Sequence, residues 1–99
     1  MLNLTEADFD AETSKPGVLL VDFYGVWCPP CKAMNPVLEE TAKAYPNVRI
    51  AKVNVNENPT LTTQFQVSGI PAFVVFKDGQ VVERWTGLTS KEDLGKKLE

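Results

Sequence analysis

The sequence predicts an α/β protein of three layers, helix on sheet on helix, and three observations predict it. Strand-like and helix-like patterns follow one another in the order β-α-β-α-β-α-β-β-α. Early alternation of this kind argues for parallel strands joined by helices on both faces of a sheet. Val18 to Tyr24 is an apolar run too continuous to be half exposed, as expected of a central strand covered on both sides. Near the C-terminus, Asp78-Gly79 lies between two apolar runs and adds an antiparallel hairpin at one edge.

Each element has its own signal. Leu2-Asn3-Leu4 reads as a short edge strand. Thr5 to Asp8 resembles an N-cap followed by acidic first-turn residues. A helix from about Glu6 to Ser14 would turn Ala7, Phe9 and Ala11 to the core, and Lys15-Pro16-Gly17 stops it. After the Val18–Tyr24 strand, Gly25-Val26-Trp27 links to a helix starting at Cys28. In it Met34, Val37, Leu38, Ala42 and Tyr45 recur at helical spacing. Pro36 has no N–H to donate and is expected to kink that helix; Pro46-Asn47 ends it.

Val48 to Val55 alternates with period two and reads as a second long strand. Asn56 to Pro59 is turn material, with Pro59 suited to a first helical position. A short helix is expected over Thr60 to Phe65, closed by Ser68-Gly69. Ile70-Pro71 leads into a strand over Ala72 to Phe76, and Val81 to Thr86 returns from the Asp-Gly turn. Past Gly87-Leu88-Thr89, Ser90 to Asp93 caps a final helix through Leu98. No internal repeat or linker is visible, so residues 1–99 read as a single domain.

Composition excludes several functions. A chain of net charge −3 gains nothing from a phosphate backbone, so nucleic acid is not an expected partner. No apolar run approaches the ~20 residues of a membrane span. Met1 is followed by a polar, acidic start rather than a basic and then apolar leader, and a cytoplasmic setting is expected. Histidine is absent and cysteine occurs twice, whereas a closed zinc site takes about four ligands. No metal is expected.

Both cysteines fall in Trp27-Cys28-Pro29-Pro30-Cys31-Lys32, between a strand and a helix. A Cys-x-x-Cys at a first helical turn puts Cys28 near the N-cap, where the dipole and free amides favour a thiolate. Cys31, one turn inward, is expected to be more buried and within bonding reach. This arrangement suits attack by Cys28 on a disulfide and resolution by Cys31, in preference to inert packing or half a metal site. Pro29 and Pro30 lack N–H groups, which leaves the Cys28 sulfur mainly the amide of Cys31, with that of Lys32 as a second candidate. In exchange they stiffen the loop.

Other residues gather around this motif. Asp22 is a carboxylate inside a central apolar strand, costly to bury unless it is used or paired. Desolvation would raise its pKa and make it a proton acceptor for Cys31; the alternative is a strand-end Asp reaching solvent. Lys52 on the other long strand is either a neighbour of Asp22 or an ordinary surface lysine. Lys32 adds positive potential or is simply solvated. Ile70-Pro71 is open to two readings, a trans bond starting a strand or a cis bond turned against the cysteine loop. Trp27, a large aromatic on a short linker, suits a contact surface.

Several dispersed stretches occur together: Val21-Asp22-Phe23, Trp27-Cys28-x-Pro30-Cys31-Lys32, Pro36, Ala51-Lys52-Val53-Asn54, Asn58-Pro59, Gly69-Ile70-Pro71, Phe76-Lys77-Asp78-Gly79 and Gly87. In these the chain resembles the thioredoxin family over nearly its whole length. The resemblance implies a thioredoxin fold, with a five-stranded mixed sheet, four helices and a cis Pro71 beside the cysteines. It implies Cys28 as attacking thiol, Cys31 as resolving thiol and Asp22 as a buried proton relay next to Lys52. Substrate would be held by Trp27, Gly69, Ile70, Pro71 and Gly87, with Pro29 and Pro30 in the loop itself.

The activity so implied is that of a monomeric disulfide reductase whose redox group is the Cys28–Cys31 disulfide, with no cofactor. Its partners would be disulfide-containing proteins and a flavin-dependent thioredoxin reductase or similar donor. The chain departs from the family pattern in four places. Pro29 stands where typical members have Gly, and Tyr24 where many have Trp. Val26 replaces a common acidic or polar residue, and Asn56 a frequent Asp. Cys-Pro-Pro-Cys also resembles some membrane-tethered or periplasmic relatives, which carry a leader and insertions. Two other functions compete: an oxidant or isomerase of the same fold, and a binding subunit in which the cysteines are dispensable.

Overall fold

The computed structural model describes residues 1–99, and its nine elements follow the expected order. They are β1 (Leu2–Asn3), α1 (Phe9–Thr13), β2 (Val18–Tyr24), α2 (Pro29–Ala44), β3 (Val48–Asn54), α3 (Pro59–Gln64), β4 (Ala72–Lys77), β5 (Gln80–Thr86) and α4 (Lys91–Leu98). The five strands form one sheet in the order β1-β3-β2-β4-β5. β3 pairs parallel with both β1 and β2, while β4 pairs antiparallel with β2 and β5. Asp78 and Gly79 both take positive φ, 51° and 85°, the backbone a tight two-residue hairpin requires.

Strand alternation sorts the core into two layers. Leu19, Val21 and Phe23 of β2 point to one face, where they meet Phe9 of α1 and Leu61 of α3. Leu20 points to the other, with Met34 and Leu38 of α2 and Leu94 and Leu98 of α4. Asp22 is two residues from Leu20, so it projects towards the α2 and α4 side. On β3 the same rule puts Lys52 on the face of Ile50. The two helices of that layer pack closely at Gly95, where a Cβ would fall 2.6 Å from the Tyr45 hydroxyl.

Most boundaries shift by a residue or so from expectation, and in α1, β3 and α3 the hydrogen bonds show why. α1 starts at Phe9 rather than Glu6. The Thr5 N–H donates to Asp8 Oδ1 (2.6 Å) and the Thr5 carbonyl accepts from Asp8 and Phe9, which closes a separate turn first. The core-facing pair is therefore Phe9 and Thr13, while Ala7 and Ala11 are exposed. β3 stops at Asn54, whose side-chain oxygen accepts from the N–H groups of Asn56 and Glu57 and turns the chain. α3 starts at Pro59 and ends at Gln64, and its free amides at Thr60 and Leu61 donate to the Glu6 carboxylate. Pro36 lies inside α2 without ending it.

Candidate active site

The first turn of α2 is set by three residues. Cys28 is the N-cap in an extended conformation (φ −107°, ψ 103°), and Pro29 and Pro30 occupy the next two positions with φ already suited to a helix. The Cys31 N–H donates to Cys28 Sγ at 3.2 Å. Lys32, the second candidate donor, does not share this task, because its N–H bonds the Cys28 carbonyl in the helical ladder (3.1 Å). The cysteines are joined as a disulfide, with Cα atoms 5.2 Å apart. Cys31 is the more buried, at 3% exposure against 8% for Cys28.

Asp22 lies on the face of β2 that the helices α2 and α4 cover. It is fully buried, and no protein group donates to either carboxylate oxygen. Desolvation pushes its pKa up from 3.8 to about 7, while the positive charge of Lys52 acts in the opposite direction. Asp22 is directly opposite Lys52 in the β2–β3 ladder and opposite Phe73 in the β2–β4 ladder. Lys52 is thus the expected neighbour, but it forms no ion pair with Asp22. Its ammonium donates to Asn35 Oδ1 (2.7 Å) and lies 4.3 Å from the centre of the Tyr24 ring.

Tyr24, Asn35 and Lys52 share a cleft of about 200 Å³ with Gly25, Val26, Cys31 and Lys32. Sequence reasoning named Tyr24 only as a departure and missed Asn35. The signal for Asn35 was present, since it follows Cys31 by four residues and so falls on the same helix face. Gly25 was missed as well: a Cβ there would meet Ile70 Cδ1 at 2.9 Å and Cys28 Cβ at 3.9 Å. Its lack of a side chain lets Ile70 pack beside Cys28.

The other candidates lie in the first turn of α2 and on the loops before α2, before β4 and after β5. The Ile70–Pro71 bond, open in sequence, is cis. Pro71 is buried and its carbonyl accepts from the Gly87 N–H (2.8 Å), which brings the two loops together. Gly87 has φ +97°, a conformation that favours glycine. Gly69 and Pro29 are exposed, and Pro30 is half-buried. Trp27 is 88% exposed, touched by Lys32 at 5.8 Å from its ring.

The family model described as Thioredoxin matches residues 1–99. The chain belongs to the thioredoxin family. It is 44% identical over 100 residues to the thioredoxin of Staphylococcus aureus, covering all of this chain and 95% of that protein. Among solved structures it is similar to oxidized mitochondrial thioredoxin 3 from Saccharomyces cerevisiae, at 35% identity and a TM-score of 0.92. That match covers 99% of this chain and 92% of the other. A mutant thioredoxin from Halobacterium salinarum NRC-1 matches at 36% identity and a TM-score of 0.92, over 99% of this chain and 87% of that one.

Family membership and a bonded cysteine pair at a helix N-terminus together make the chain a thiol-disulfide oxidoreductase of thioredoxin fold. Thioredoxins act on disulfides and work without a cofactor, the cysteine pair being the redox group. No group of three or more His, Cys, Asp or Glu side chains is placed to hold a metal ion. No helix is long and apolar enough to cross a membrane.

Proposed function

We propose that this thioredoxin is a cytoplasmic, monomeric reductase of protein disulfides, acting as one domain over residues 1–99 and recharged by a thioredoxin reductase or similar donor. The observation that carries the proposal is the disulfide at the start of α2, whose outer sulfur is the N-cap and takes the Cys31 amide. In the reduced protein the same position favours a Cys28 thiolate. The thiolate attacks a substrate disulfide, forming a mixed disulfide and releasing the first substrate thiolate. Cys31 then gives up its proton and attacks the Cys28 sulfur, which restores the Cys28–Cys31 bond and frees the second thiolate. Two electrons pass from protein to substrate.

Asp22 is the acceptor for the Cys31 proton, and Lys52 tunes it. A carboxylate with a pKa of about 7 is half ionised near neutral pH, where it takes and returns a proton with little cost. Trp27, Gly69, Ile70, Pro71 and Gly87, with Pro29 and Pro30, form the surface against which substrate lies. The closing test is reduction of insulin disulfides by the dithiol protein, coupled to NADPH through a thioredoxin reductase. Turnover that survives a double cysteine-to-serine replacement would sink the proposal.

A further inference from the structure

We propose that Asn35 is a positioning residue that, with the Tyr24 ring, holds the Lys52 ammonium in the cleft and keeps it from pairing with Asp22. The inference rests on the reading of Asp22 as the proton acceptor. Ladder register places Asp22 and Lys52 opposite each other on one face of the sheet. Side chains so placed are neighbours, and an ammonium would ordinarily turn to a bare carboxylate. Here it does not. Lys52 Nζ donates to Asn35 Oδ1 at 2.7 Å and lies 4.3 Å from the centre of the Tyr24 ring, while both Asp22 oxygens stay without a donor. An amide acceptor from α2 and an aromatic face from β2 together replace the ion pair.

The consequence is chemical. An ammonium in direct contact would hold Asp22 ionised and too weak a base to take a thiol proton at neutral pH. Kept at a distance, Lys52 tempers the effect of burial without cancelling it. Other charged or titratable groups in the cleft are Lys32 from α2 and Tyr24 from β2; Cys31 joins them only when the disulfide is reduced. Glu57 lies in the adjoining hollow that Tyr24 and Lys52 also line. From β4 the residue opposite Asp22 is the apolar Phe73.

The test is the titration of the Asp22 carboxyl carbon by NMR in the oxidised protein, which needs no turnover. Asn35→Ala removes the acceptor, frees Lys52, and should lower the Asp22 midpoint by about one pH unit or more. Asn35→Asp keeps an oxygen acceptor at the same place and should leave the midpoint at or above that of the wild type. With Lys52→Met in the background, Asn35→Ala should have no effect, because there is no ammonium to release. A midpoint that Asn35→Ala leaves in place or raises overturns the inference, as does the same fall in the Lys52→Met background. The rate at which Cys31 resolves a Cys28 mixed disulfide is then followed against pH. If the midpoint falls while the pH limb of that step stays where it was, the positioning by Asn35 stands and the proton-acceptor role of Asp22 fails.

Discussion

Cys31 donates its amide to the Cys28 sulfur at 3.2 Å, and it is the one amide in the first turn of α2 that does so. Pro29 and Pro30 have none to give, and Lys32 is committed to the Cys28 carbonyl. In most helix N-termini several orphan amides converge on the cap. Here the cap is nearly stripped of donors, which limits how far a thiolate can be stabilised.

A less stabilised thiolate means a less stabilised reduced form, and so a weaker oxidant. The potential is therefore expected on the reducing side, roughly −280 to −210 mV. Pro29→Gly adds one amide and should raise the potential by at most some tens of millivolts, with ~30 mV equal to ~1.4 kcal/mol. Equilibration of both proteins with glutathione measures this. A wild-type value above the glutathione range would make the protein an oxidant or isomerase.

The cysteines should have unequal roles. Cys28→Ser should abolish attack on disulfides, whereas Cys31→Ser should accumulate a mixed disulfide through Cys28 that mass spectrometry detects. Limiting alkylation of the reduced protein should mark Cys28, the more exposed of the pair and the one at the helix end. Preferential labelling of Cys31 would reverse the assignment.

Asp22→Asn should stabilise the protein and slow it. The folded-state pKa is raised from 3.8 to about 7, so between those values the folded protein keeps a proton that the unfolded chain has lost. Wild-type stability thus falls as pH rises through that window, by up to roughly 4 kcal/mol at ~1.4 kcal/mol per unit. The variant escapes this loss, and urea melts at pH 4 and pH 8 should show its advantage only at the higher pH. Turnover should drop most at the resolving step near neutrality. Equal rates across that range would reduce Asp22 to a buried passenger.

At the α2–α4 contact, Gly95→Ala should cost about 1 kcal/mol or more through overpacking, despite the better helix propensity of Ala. The new Cβ would sit 2.6 Å from the Tyr45 hydroxyl and 3.4 Å from its ring carbon Cζ. Adding Tyr45→Phe removes the closer atom and should recover most of the loss, as thermal melts of the three variants would show. A single Gly95→Ala variant as stable as wild type would mean that the Tyr45 ring swings away freely.

What sequence alone determined is the part of the molecule written in local pattern. Apolar alternation and its helical counterpart located β2, β3 and α2, the Asp-Gly pair located the β4–β5 hairpin, and two cysteines at a strand–helix junction located the chemistry. These are properties of neighbouring residues, because strand and helix periods are set by the backbone. Tertiary structure decided what depends on partners distant in the chain. Glu6, expected to open α1, instead supplies the cap of α3 more than fifty residues away. Lys52, a plain alternative between surface and site in sequence, is drawn aside by Asn35 and Tyr24, and Gly25 proves necessary only because Ile70 comes to lie against it. A hydrogen bond or a steric limit between such residues exists only once the sheet has set their register. No local pattern encodes it.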